Sequence, residues 1–493
     1  MAPIAVSAFL PRSFVDKFLL AVAFLLSGLF AVNVLSSWTA KLRYPGEIDS
    51  VEGRELAEMA LLHQGVPIYA PATPREFHSA NYGPLYYLLG ARLMDPAAPG
   101  YRSLRLVAIV ALAALAAACG VLAWWVSRSW AAAVLSPLMF LSYRLVTRYG
   151  VTARSDSLGL LCWFSGYLVA YRYRTSDKLL WSIPLLVLGA FYKQQFIVAP
   201  VAIVLFLLLE KRYRTAWQFS LLLAGAGLAM LGVFQFLVFP HQAFALHFIA
   251  YNVLPFSLSE GLLRVSALLI VLALPAVMAI STLRSYPHRL LACYFGAAMI
   301  LIPIMVSKKG AAVNYALEWL VLACPLVATY VVSKLKQPET GVLALFLLGV
   351  SLWLGQSDWG RSLDPTPTDF AQERAVQAYL RGNFPPGATA LGYFTGDLLR
   401  AGMATPLTDP YQYSWLVRNG ALSDEGLIEE IQQHQFAVIL LTQNMRNEAS
   451  AHDPQRLYVS ERLHQAILHN YRLARRFDFH LYEAEQYYAW VPQ

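Results

Sequence analysis

Stretches of about 20 apolar residues recur from position 14 to position 357 of this chain and then stop. A backbone in hydrocarbon has no water to satisfy its amides and carbonyls, so each such stretch is confined to a helix that bonds internally. About 20 residues of helix span a bilayer core of about 30 Å. The first stretch, 14–37, starts beside Arg12 and Lys17. It is too long for a signal-peptide core and no small-x-small cleavage site follows, so it reads as a retained anchor. Ten more lie at 104–126, 130–147, 157–171, 179–192, 196–209, 217–239, 262–283, 289–306, 313–332 and 339–357. With 57% hydrophobic and 14% charged residues, where soluble domains carry about 25% charge, the expectation is an all-α polytopic membrane domain over 1–357 with about eleven spans.

Cationic loops orient those spans. With the N-terminus in the cytoplasm, the inside connections hold Arg128; Arg172, Arg174 and Lys178; Lys211, Arg212 and Arg214; Arg284 and Arg289; Lys334 and Lys336, as the positive-inside rule requires. An odd span count then places 358–493 outside, together with the long first loop 38–103. Three short outside turns break the rule: Arg144, Arg148 and Arg154; Lys193; Lys308 and Lys309. Helix anchoring explains any one of them. Their repetition on one face suits a phosphate or diphosphate headgroup.

From Asp358 charge rises and apolar periodicity shortens. Residues 369–382 and 424–434 read as amphipathic helices, 388–393 and 436–442 as buried strands, with a further helix near 460–470 and a strand near 477–483. These make a small soluble α/β domain at 358–493. It carries no nucleophile, metal or nucleotide signature, and a cap or acceptor-binding accessory fits it better than a second active site. All four cysteines lie in apolar spans, where a thiol behaves as a small hydrophobe.

Chemistry concentrates in the first loop, RYPGEIDSVEGRELAEMALLHQGVPIYAP followed by FHSANYGPLYYLLGARLM. Glu47, Asp49 and Glu52 fall just after the first span, and 52–63 reads as a short amphipathic helix. Carboxylates fixed at a membrane surface serve as general bases toward a hydroxyl or amine; singly, each is as well explained as a solvated loop charge or a helix N-terminal charge.

EGRELAEMALLHQG followed by NYGPLYYLL resembles the first loop of GT-C membrane glycosyltransferases, the broad group that includes protein O-mannosyltransferases and lipid A aminoarabinose transferases. That pattern runs Asp-Glu-Gly, amphipathic helix, Gly, then a Pro-Pro-Leu-Tyr-type segment. Here Val51 stands at the acidic position and Gly83 at the first proline, which leaves the base to Glu52, Asp49 or Glu47. ARSDSLG, with Arg154 and Asp156, resembles the family's second external loop. YKQQFIVAP, with Lys193, and KKGAAVNYALEW, with Lys308, Lys309, Asn314, Tyr315 and Glu318, look like segments of bacterial members. The resemblance covers the membrane part and the general form of the C-terminal domain.

It implies transfer of sugar from a polyprenyl-phosphate-type carrier to an unidentified acceptor at the external face of the plasma (inner) membrane. Arg154, Lys193, Lys308 and Lys309 are then expected on the donor phosphate, with Asp156, Tyr82, Asn314, Tyr315 and Glu318 in support. Glu318 has a second explanation, pairing with Lys308 or Lys309. No cofactor and no nucleic acid is expected; the ten histidines show no ligand spacing, and a divalent metal on Asp49, Glu52 or Asp156 has no pattern behind it. A transporter or lipid flippase is the alternative, although no internal repeat is visible.

Overall fold

In the computed structural model, residues 14–286, 288–357, 364–442, 460–481 and 486–493 are described. Arg12, the boundary at Asp358 and the end of the strand expected near 477–483 lie outside them. The first part of the chain is helical: α1 (Phe14–Arg43), α2 (Ser50–His63), α3 (Pro84–Leu93), α4 (Arg102–Ser127), α5 (Trp130–Ser142), α6 (Arg144–Gly150), α7 (Asp156–Arg172), α8 (Ile183–Tyr192), α9 (Val198–Leu209), α10 (Tyr213–Gly232), α11 (Phe244–Phe248), α12 (Leu258–Ser285), α13 (Arg289–Val306), α14 (Ala316–Lys334) and α15 (Pro338–Leu354).

Each of the eleven apolar stretches falls on helix. Six described helices are long and apolar enough to cross a membrane alone, or seven if α5 and α6, bent by 65°, form one span. α8 and α9 have 10 and 12 residues, about 15 and 18 Å at 1.5 Å per residue, well short of a bilayer core. The chain is membrane-embedded. α14 is its central helix, buried along most of its length and packed by α4, α5, α12, α13 and α15. On the outside, Phe18, Leu25, Leu29 and Val32 of α1 and Leu262, Leu263 and Ile270 of α12 are exposed, the signature of surfaces whose solvent is lipid.

The C-terminal unit runs α16 (Pro367–Asn383), β1 (Ala390–Gly392), α17 (Thr395–Arg400), α18 (Pro410–Arg418), α19 (Glu425–Gln432), β2 (Val438–Leu441), α20 (Glu461–Asn470), β3 (Tyr471–Asp478) and β4 (Gln486–Pro492). Its sheet order is β1-β2-β4-β3, parallel between β1 and β2 and antiparallel elsewhere. The period of two in β2 sends Val438 and Leu440 into a core with α16 and α17, and Ile439 and Leu441 into a second core with α19 and α20. Among the described residues the end of the chain is a hairpin of β3 with β4, where the sequence suggests one strand near 477–483. The ladder shifts register between Leu473 and Arg475, so the alternation that marks a strand is out of step there.

The two parts are knitted together through the first loop. Phe77 enters the second core of the α/β unit and forms an isolated parallel bridge with Leu407. Its amide donates to Pro406 O at 2.8 Å, and Thr408 N donates to Phe77 O at 3.0 Å.

Candidate active site

Helix α2 is the wall between the two parts, and its sequence explains its place. Asp49 caps it, Oδ1 accepting from Val51 N and Glu52 N at 3.0 and 3.2 Å. Gly53 lets it approach the α/β unit closely: a Cβ there would lie 2.8 Å from Gly396 N and 1.8 Å from Glu47 Oε2. Sandwiched in this way, α2 has no solvated face between Glu52 and Ala60; only Arg54 within that run is less than fully buried.

Glu52 and Arg105 form the firmest anchor. Arg105 donates to both Glu52 oxygens, at 2.9 and 2.6 Å, and also to the carbonyls of Lys41, Tyr44 and Gly46. Ile48 N and Ala153 N complete the carboxylate's shell at 2.7 and 2.5 Å. Both side chains are fully buried. Glu52 is therefore committed to holding the end of α1 against α4 and the second loop. Glu47 sits on the other side of α2, where Oε1 accepts from Asp397 N at 3.3 Å. Burial and the neighbouring Asp397 charge push its carboxyl well above the usual range.

Of the cations that break the positive-inside rule, Arg154, Lys193 and Lys308 converge. Arg154 donates to Asp49 Oδ2 at 3.0 Å and to Asp156 Oδ2 at 3.1 Å. The other oxygen of Asp156 takes Lys193 Nζ and Asn314 Nδ2, each at 2.6 Å. One aspartate at the start of α7 thus gathers Arg154, the cap of α8 and the turn before α14. Tyr82 lies under Lys193, 4.8 Å from its ring centroid. Lys308 Nζ donates to Asn252 O at 2.6 Å rather than to a carboxylate, and burial together with the Lys193 charge pushes its pKa down. Lys309 lies instead over the Trp415 ring at 4.5 Å. Glu318 is bound to Trp163 Nε1 and Tyr294 OH at 2.8 and 2.7 Å inside the bundle, so pairing with Lys308 or Lys309 is not its role. Arg144 is neutralised by Asp364 at 2.8 Å.

These groups surround a cavity of about 650 Å³. Arg54, Arg154, Lys193 and Lys308 line it, with Tyr82, Asn314 and Tyr315, the apolar Val51, Phe248, Leu254 and Met305, and a wall from the α/β unit made by Tyr393 and residues 408–412. Among the described residues its lining holds four cations and a single carboxylate, Asp409. Asp409 Oδ2 accepts from Arg54, and Oδ1 from Gln412 N at 3.0 Å. Asp49, Glu52, Glu47 and Asp156 stand behind the lining rather than in it, as do Lys309 and Glu318. Glu58 steadies the floor. Its Oε1 takes Ser79 Oγ, Ala80 N and Thr408 Oγ1 at 2.7, 2.5 and 2.9 Å, fixing the positive φ of Ala80 and hence the direction of Asn81 and Tyr82. Arg54, Arg105 and Asp409 are absent from the sequence-based expectation. Among the described residues, no three His, Cys, Asp or Glu side chains are placed to hold a metal; Asp49, Glu52 and Asp156 hold Arg154, Arg105 and Lys193 instead.

A helical membrane bundle, a short helix in the first loop beside a basic cavity, and a C-terminal α/β unit closing that cavity make a fold that the chain shares with solved structures. Among solved structures, ArnT from Cupriavidus metallidurans in the apo state is similar at a TM-score of 0.57 and 11% identity, over 94% of this chain and 97% of that one. The same protein bound to undecaprenyl phosphate gives 0.55 and 10%, with the same coverage. The Archaeoglobus fulgidus oligosaccharyltransferase tethered with an acceptor peptide gives 0.54 and 10%, over 96% of this chain and 74% of that one. At these identities the likeness establishes the fold. No family model matches the chain, and nothing among curated proteins matches it.

Proposed function

We propose that this chain transfers a sugar from a polyprenyl-phosphate carrier to an acceptor at the outer face of the plasma (inner) membrane, with the N-terminus inside and the α/β unit outside. The carrying observation is the charge of the cavity: four cations against one carboxylate, beside apolar residues at the ends of the bundle helices. Such a site is electrostatically incomplete without an anion. ArnT, of the same fold, binds undecaprenyl phosphate, an anion on a lipid tail.

In this reading the bond from the anomeric carbon to the phosphate oxygen breaks, and the carrier phosphate leaves with the electron pair. Arg154, Lys193 and Lys308 stabilise the charge that grows on it, more in the transition state than before. Asp49 and Asp156 are positioning residues, because each holds a cavity cation from behind. Asn314, Tyr315 and Tyr82 shape the wall, Lys309 lies over Trp415 behind the lining, and Glu52, Glu47 and Glu318 support the scaffold. The charged groups sit at helix ends, Arg154 before α7, Lys193 after α8 and Lys308 after α13. No internal repeat is visible in the sequence, which favours a transferase over a transporter built from repeats.

The test is transfer by the full chain from the lipid-linked sugar pool of its native membranes, followed as release of free carrier phosphate. Wild type releases carrier and Lys308→Gln loses most of that activity. Equal release by both would remove the cavity from the reaction.

A further inference from the structure

A displacement at the anomeric carbon needs a group to take the acceptor's proton, and the first loop offers none in the cavity. Glu52 is filled by Arg105 and two backbone amides. Glu47 faces the α/β unit. Asp49 holds Arg154 from behind the lining, and the residue two positions on, where the family pattern has its acid, is the cavity-lining Val51.

We infer that Asp409, supplied by the α/β unit, is the general base of the transfer. Among the described residues it is the one carboxylate that lines the cavity. The inference rests on the glycosyl-transfer reading above. Asp409 is 6% exposed, and its oxygens accept one bond each, from Gln412 N and from Arg54. A carboxylate oxygen has two lone-pair sites, so each retains capacity to accept a substrate proton. Its mount is stiff. Thr408 is tied to Phe77, Ser79 and Glu58, and Pro410 starts α18 directly after it. The cations come from the other wall, Arg154, Lys193 and Lys308 at the ends of bundle helices.

The step balances without a further reagent. The acceptor oxygen forms its bond to the anomeric carbon, the bond from that carbon to the carrier phosphate breaks with its electron pair going to phosphate, and the acceptor proton passes to Asp409. The C-terminal unit is then half of the catalytic centre rather than a cap upon it.

Asp409→Asn is the first variant, because the amide oxygen keeps the cap on Gln412 N. Expected are a kcat lower by about 10²–10⁴-fold and an affinity for undecaprenyl phosphate that does not fall. Unchanged kcat with wild-type transfer intact overturns the role of Asp409 alone. Absence of transfer by wild type from its native lipid pool overturns the donor reading and this inference with it. Should the asparagine variant fail to fold, Asp409→Glu keeps the charge for Arg54 while displacing the oxygens. A base requires kcat to fall about 10²-fold with melting temperature retained; full activity assigns Asp409 to docking only.

Discussion

Gly83 departs from the GT-C first-loop pattern, which has proline there, and the surroundings show why. Its φ of −66° suits proline, but any Cβ would lie 1.7 Å from the carbonyl oxygen of Phe191, a backbone atom that cannot turn aside. Gly83→Pro should therefore destabilise the protein by about 1–3 kcal/mol, the usual cost of overpacking, seen as a lower melting temperature in detergent. The cavity lysines separate by the same kind of reasoning. Lys308 has a carbonyl for a partner, so Lys308→Gln orphans no buried carboxylate. It should keep the wild-type melting temperature while weakening undecaprenyl phosphate binding tenfold or more, since a charge-assisted bond is worth about 1.5–3 kcal/mol. Lys193→Gln removes a cation from buried Asp156 and should lower affinity and stability together. Equal stability loss in both variants would show that Lys308 is structural as well.

Helix α2 and the elements it touches show what the sequence makes legible. The apolar stretches announce the long bundle helices, and Arg154 and Lys193 stand out because cations on an outside turn contradict the rest of the charge pattern, while Asp156 and Asn314 come with the family-like segments around them. Arg105 carried a readable signal, an ionisable residue within an apolar span. Asp409 carried none, for its partner Arg54 is 355 positions away and no local period connects them. Helices α17 and α18, of six and nine residues, are too short to show a helical repeat. Where α2 meets α17, Glu47 and Asp397 are buried together. Burial and the Glu373 charge push Asp397 up to about 8, despite Arg400 beside it. The folded protein thus holds a proton that the unfolded chain has already lost, so this contribution is full below the ordinary aspartate range and declines as pH rises toward about 8. Melting temperature should fall from about pH 5 to pH 8, and Asp397→Asn should flatten that slope. An unchanged slope in the variant would place the titrating groups elsewhere.

Taken whole, the molecule is a basic cavity closed by two parts distant in sequence, with lipid-exposed helices beneath it. On the proposed topology, a reporter fused after Gln493 should be active only outside the cytoplasm. Cytoplasmic activity would invert the topology and deny the cavity its external acceptor. The decisive measurement is native mass spectrometry of the full chain extracted from its own membranes in mild detergent. Wild type should carry a polyprenyl-phosphate sugar or its free carrier phosphate, and Lys308→Gln should carry markedly less. Wild type without such a lipid, or both proteins carrying it equally, would contradict the assignment of this cavity to a lipid-linked donor.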